Sequence, residues 1–158
     1  MTLSSPGAAI ALFRRICDIL KFYLASRWSN RFRLRELRDR LVRHGHSVTS
    51  RWIDNPDRPD DPRLIEQFWL QWAKKDIADM EAADALILMT WNCTDRSDQP
   101  RGGMRFEEGY CYAKGKPIIL LGPKIIVFDQ LDDIFYCANE IDLKGVIDAV
   151  SRGQTRTG

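Results

Sequence analysis

The chain has 158 residues, 44% of them hydrophobic, with 24 basic and 22 acidic side chains giving a formal net charge of +2. That length suits one domain around one core, and the apolar content excludes global disorder. The near-neutral balance offers no electrostatic case for a nucleic acid or an anionic membrane as partner; two histidines and four cysteines without a C-x-x-C pair argue against a metal site.

Residues 1–19 read as a disordered or weakly helical extension, whose apolar stretch 8–13 is too short to span a bilayer. Residues 20–25 (LKFYLA) predict a buried first strand. SRWSN follows with two N-cap candidates, and residues 31–43 predict a helix with Leu34, Leu37 and Leu41 on one face. Pairs Glu36–Arg40 and Asp39–Arg43 would lie on its outside. Gly45 stops it, and residues 46–52 (HSVTSRW) predict the second strand. DNPDRPDDPR is a loop. A long helix over 64–83 would bury Trp69, Ala73, Ile77 and Met80.

Residues 85–90 (ALILMT) are the most hydrophobic strand candidate and the expected centre of the sheet. A polar loop over 91–103 leads to a helix over 104–114, and residues 117–121 (PIILL) predict the fourth strand. Residues 122–133 form a connection with an apolar IIVF insert. A fifth strand is expected over 134–138, a final helix over 140–151, and a disordered tail over 152–158. The alternation implies right-handed crossovers and a single doubly wound α/β domain over 20–151 with a mostly parallel five-stranded sheet. Cys17, Cys93, Cys111 and Cys137 read as reduced, largely buried thiols, which points to the cytoplasm.

In such a sheet ligands sit beyond the carboxyl ends of the strands. The first strand delivers Tyr23, Ser26, Arg27 and Trp28 there; the second delivers Ser50, Arg51 and Trp52. The third delivers Trp91, Asn92 and the loop with Arg101, Gly102 and Gly103, which opens the helix carrying Glu107 and Glu108. Aromatics for a base, arginines for a phosphate and carboxylates for acid, base or nucleophile work thus share one rim. Arg27 stands out from the seven arginines between 27 and 43, most of which read as a solvated helix face, because it sits where helix N–H groups already favour an anion. His44 and His46 read as helix-end and strand-start residues. G-x-x-x-x-G-K-[ST], G-x-G-x-x-G and G-x-S-x-G are all absent, which disfavours an ordinary nucleoside triphosphatase, a dinucleotide enzyme and a serine hydrolase.

The segments FYLAS, GHSVTSRW, KKDIADMEAADALIL and RGGMRFEEGYCYAKGKPIILLG, together spanning roughly residues 21–122 in this order, resemble the nucleoside 2-deoxyribosyltransferase family and its sister 2′-deoxynucleoside 5′-phosphate N-hydrolases. The resemblance implies a flavodoxin-like, Rossmann-like domain. It implies Glu107, in Glu107-Glu108-Gly109-Tyr110, as the nucleophile, and Asp76, eight residues before Asp84, as the proton donor. It also implies Tyr23 as the tyrosine of the first strand, no cofactor, and a homo-oligomer in which residues 125–128 or the region of Asn139 reach a neighbour's site. One departure is Arg101, six residues before Glu107, where transferases using free nucleosides often carry an aspartate.

Breaking an N-glycosidic bond develops positive charge on the sugar, which a carboxylate beneath C1′ stabilises or attacks, while the base leaves more readily once protonated. Burial beside Trp72 would raise Asp76 enough to hold that proton, Tyr23 could fix the angle of Glu107, and Gly102-Gly103 would let backbone approach the sugar. Ser26, Arg27, Trp28, Ser50, Arg51, Trp52 and Arg101 complete the expected substrate contacts. Three readings stay open: deoxyribosyl transfer between bases, hydrolysis of a 5′-monophosphate with Arg27, Ser29 and Arg51 on the phosphate, and nucleotide binding without turnover.

Overall fold

The computed structural model describes residues 19–55, 59–93 and 102–153. Nearly all of the expected extension and tail, together with Cys17 and Arg101, lies outside the described residues. Five strands form one all-parallel sheet in the order β2-β1-β3-β4-β5: β1 Lys21–Ala25, β2 Ser47–Val48, β3 Ala85–Met89, β4 Ile118–Leu121 and β5 Phe135–Cys137. Helices α1 Arg31–Arg43, α2 Pro62–Ala82, α3 Gly102–Ala113 and α4 Leu143–Ser151 cover both faces, as a doubly wound sheet requires.

β3 is the centre, and all five of its side chains are buried. Two covered faces explain why ALILM shows no polar alternation. Leu34, Leu37 and Leu41 of α1 are buried as their spacing predicts; each contributes roughly 1.5–3 kcal/mol by leaving water. Asp84 ties the amino end of the sheet by accepting the Lys21 N–H at 2.7 Å on Oδ2.

Several boundaries differ from the sequence reading, each for a local reason. β2 is two residues long, not seven, because side chains take over the pairing of β1. Ser50 Oγ accepts the Leu24 N–H at 2.5 Å and the Trp52 indole donates to the Leu24 carbonyl at 2.9 Å. Freed from the ladder, the chain turns into a 3-10 helix over Arg51–Asp54. Asn30 precedes α1 but makes no side-chain cap, since its amide donates instead to Ser26 Oγ and to the Trp91 carbonyl, each at 2.8 Å. Arg40 does not pair with Glu36; it reaches α4's approach at Glu140, as does Arg33 at 2.9 Å.

The inward stripe of α2 is also rotated from expectation. Trp69 is 57% exposed and Ala73 is exposed too. The partly or fully covered positions run Ile65, Phe68, Trp72, Asp76 and Asp79, with Ile77 and Met80 alongside. Asp79 and Met80 in the last turns of α2 are buried, and Trp72 and Ile77 pack against the core. α2 begins at the loop, with Asp61 Oδ1 accepting the Arg63 N–H and Pro62 in its first turn. The final helix starts at Leu143, after Asn139 has used its side chain to bind the N–H groups of Ile141 and Asp142.

Candidate active site

The middle of β1 presents Tyr23, whose side chain is fully buried. Its phenol donates to Glu107 Oε1 at 2.7 Å. Glu107 lies one and a half turns into α3 and is 9% exposed. Burial pushes its carboxyl up to about 8; the Tyr23 hydrogen bond pulls it down, and the negative charge of Asp76 pushes it up again. Tyr23 is itself raised well above the ordinary phenol range, first by burial and then by Glu107 and Asp76. It therefore remains a hydrogen-bond donor at any working pH.

Asp76 stands on the inward stripe of α2. Its carboxyl rises to about 6, mainly through burial and the charge of Asp79, with Arg51 and Lys75 pulling the other way. Asp76 Oδ1 is buried and has no hydrogen-bond partner among the described residues. The structure thus brings together all three residues expected to react: Tyr23 from β1, Asp76 from α2 and Glu107 from α3.

The residues expected to contact substrate divide into three groups. Ser26, Ser50 and Trp52 are buried and direct their polar atoms into the sheet: Ser26 Oγ donates to the Met89 carbonyl at 2.8 Å, and Ser50 and Trp52 hold β1 as described above. Arg51 pairs with Asp79: its backbone N–H donates to Oδ2 at 3.0 Å, its Nε to Oδ1 at 2.8 Å, and its Nη2 lies 2.8 Å from Oδ1. Arg27 donates through Nη1 to the Asn92 carbonyl at 2.8 Å, where Asn92 takes a left-handed conformation with φ 57.

Trp28, 41% exposed, is the aromatic surface that remains at the rim, with its ring 6.1 Å from Trp52 and the Arg31 guanidinium 4.5 Å above it. Gly102 and Gly103 open α3 and are exposed, and a Cβ on either would meet nothing within 4 Å among the described residues. Among the described residues no group of His, Cys, Asp and Glu is placed to hold a metal ion.

Two polar groupings escaped the sequence reading. Asp79 is buried at the end of the α2 stripe and is the partner of Arg51; the D-x-x-D spacing in DIADME was the available signal. Asp129, fully buried, joins Arg105 and Glu108. Burial would raise Asp129, but hydrogen bonds from Arg105 and from the N–H groups of Ile125 and Ile126 hold it below the usual carboxylate range. This clamp pins the 125–130 segment to α3 and engages Glu108, whose Oε2 accepts from Arg105 at 2.6 Å while its buried Oε1 has no partner among the described residues.

Comparison with known proteins matches the sequence model of a family described as nucleoside 2-deoxyribosyltransferase to residues 22–133. Among solved structures, a 2-deoxyribosyltransferase from the psychrotolerant bacterium Bacillus psychrosaccharolyticus superposes with a TM-score of 0.58 at 22% identity, covering 78% of this chain and 90% of that one. That likeness shows the fold. No curated protein matches.

Proposed function

This chain belongs to the nucleoside 2-deoxyribosyltransferase family, and from that premise we propose that it cleaves the N-glycosidic bond of a 2′-deoxynucleoside and passes the deoxyribosyl group to a second base. The observation that carries this reading is the buried Tyr23–Glu107 hydrogen bond beside Asp76. Tyr23 occupies Oε1, which leaves Oε2 of Glu107 to reach C1′. As that oxygen bonds to C1′, the C1′–N bond breaks, its electron pair goes to the base nitrogen, and Asp76 supplies the proton the leaving base needs. In the return step a nitrogen of the acceptor base attacks C1′, the glutamyl bond opens to regenerate the carboxylate, and the acceptor's N–H proton passes to Asp76.

Trp28 at the rim offers a face for the base. Arg51 is already paired with Asp79, which favours a nucleoside over a 5′-monophosphate needing that arginine. The protein would act as a homo-oligomer: Val127 is 76% and Phe128 62% exposed, an apolar tip held rigidly by the Asp129 clamp and suited to a neighbouring copy.

The test is incubation with a deoxynucleoside and a different free base, read by mass spectrometry. A new deoxynucleoside supports transfer; free base from a 5′-monophosphate with no new nucleoside means hydrolysis; tight binding with no base released over hours means neither. Glu107→Ala should abolish release while the circular dichroism spectrum is kept.

A further inference from the structure

We propose that Asp79 is a positioning residue for Asp76, and that Arg51 controls how strongly it acts, so that this ion pair decides how readily Asp76 keeps a proton. The inference rests on the reading of Asp76 as the acid. Asp76 and Asp79 are three residues apart on α2 and share its inward stripe, which makes them neighbours one turn apart. Asp79 is 6% exposed and is held from several sides: Arg51 donates through its backbone N–H and its guanidinium, while Thr49 Oγ1 binds the Asp79 carbonyl at 2.8 Å. Arg51 also reaches the Lys75 carbonyl at 3.4 Å, so it is stapled to the same turn as Asp76. A buried carboxylate in a fixed place next to an unpartnered one is a fixed negative charge.

The groups facing Asp76 are Lys75 and Asp79 on α2, Arg51 on the 3-10 turn after β2, Tyr23 on β1 and Glu107 on α3. Of these, Asp79 favours the protonated acid and Arg51 opposes it. The pair therefore works as two opposed levers, and removing one or the other should move Asp76 in opposite directions. Removing Asp79 deletes the repelling charge and leaves Arg51 uncompensated, so the proton is lost more easily. Removing Arg51 leaves Asp79 unopposed, so the proton is held more tightly. Removing both should nearly cancel.

The experiment follows the Asp76 carboxyl by carbon-detected NMR titration in the full chain, together with the pH profile of base release. Asp79→Asn should lower the Asp76 titration by about one pH unit, move the acid limb of the profile down by the same amount, and cut the plateau about tenfold. Arg51→Met should raise the titration and move the acid limb up, and the double variant should return both near the wild type. Should Arg51→Met fail to fold, comparing the double variant with Asp79→Asn reads the Arg51 effect alone, and it must be upward. Shifts in the same direction for both single variants, or none in folded protein, overturn the proposal. If the wild type releases no base, the enzymatic reading fails, yet the NMR shifts still decide this inference.

Discussion

A carboxyl held at about 8 by burial is mostly protonated at neutral pH, whereas a nucleophile must be ionised. In the proposed reaction Glu107 meets this difficulty as half of a pair. Asp76 loses its proton at about 6 and Glu107 at about 8, so between those values the two side chains share one proton. The proposal makes the arrangement with that proton on Asp76 the reactive one, refreshed by exchange as it is consumed. Base release should therefore be bell-shaped in pH, rising through about 6 and falling through about 8; a profile flat from 5 to 9 would remove the pair from the reaction.

Tyr23 biases the sharing, since its hydrogen bond favours ionised Glu107. Tyr23→Phe should lower kcat by about 10–100-fold and move the alkaline limb to higher pH. A loss of activity with both limbs unmoved would reduce Tyr23 to packing. The hydrogen bond between Tyr23 and Glu107 was legible in the sequence through motif context. Ser50 and Trp52 were not legible in their actual roles, because strand periodicity cannot reveal that a hydroxyl and an indole will replace backbone partners.

α1 keeps a full leucine stripe and carries no reacting group. The covered stripe of α2 includes Asp76 and Asp79, and Asp79 is bound by Thr49 and Arg51 just after β2. The 31–43 helix was read from sequence to the residue, since Leu34, Leu37 and Leu41 allow one register only. The α2 stripe was right at Ile77 and Met80 and wrong at Trp69 and Ala73, because all four match the helical period. Periodicity reports a face; it does not report how much sheet lies under it.

The turn after β4 is the tightest constraint on the rim. Gly122 has φ 120, and a Cβ there would lie 2.7 Å from Thr90 Oγ1 and 3.2 Å from the Trp91 backbone N. Thr90 Oγ1 in turn binds the Pro123 carbonyl at 2.7 Å. Gly122→Ala should destabilise the fold by about 2–4 kcal/mol in a denaturant titration. A loss under about 0.5 kcal/mol would mean that the loop gives way instead.

For the molecule as a whole, two buried carboxyls above their ordinary values are a stability cost that depends on pH. Both bind protons more tightly folded than unfolded, so their contribution favours the fold most below about pH 4 and fades as pH rises through about 6 and about 8. Glu107→Gln should raise stability at pH 8 by on the order of 1–3 kcal/mol and flatten its decline between pH 6 and 8. An unchanged Tm at pH 8 would show that Glu107 is ionised without penalty. The assembly is tested separately: Val127→Asp with Phe128→Asp should turn an oligomer into a monomer in light scattering, and an unchanged mass would move the interface elsewhere.

The bond from Tyr23 to Glu107 spans 84 positions of sequence and joins the first strand to the helix that follows the third. The proposed reaction centre is consequently not local in the chain; it comes into being when distant parts close on one another. During refolding, helical signal should recover before turnover does. Catalytic competence then becomes a reporter of long-range closure, and the protein carries in its own chemistry a gauge of whether it is finished.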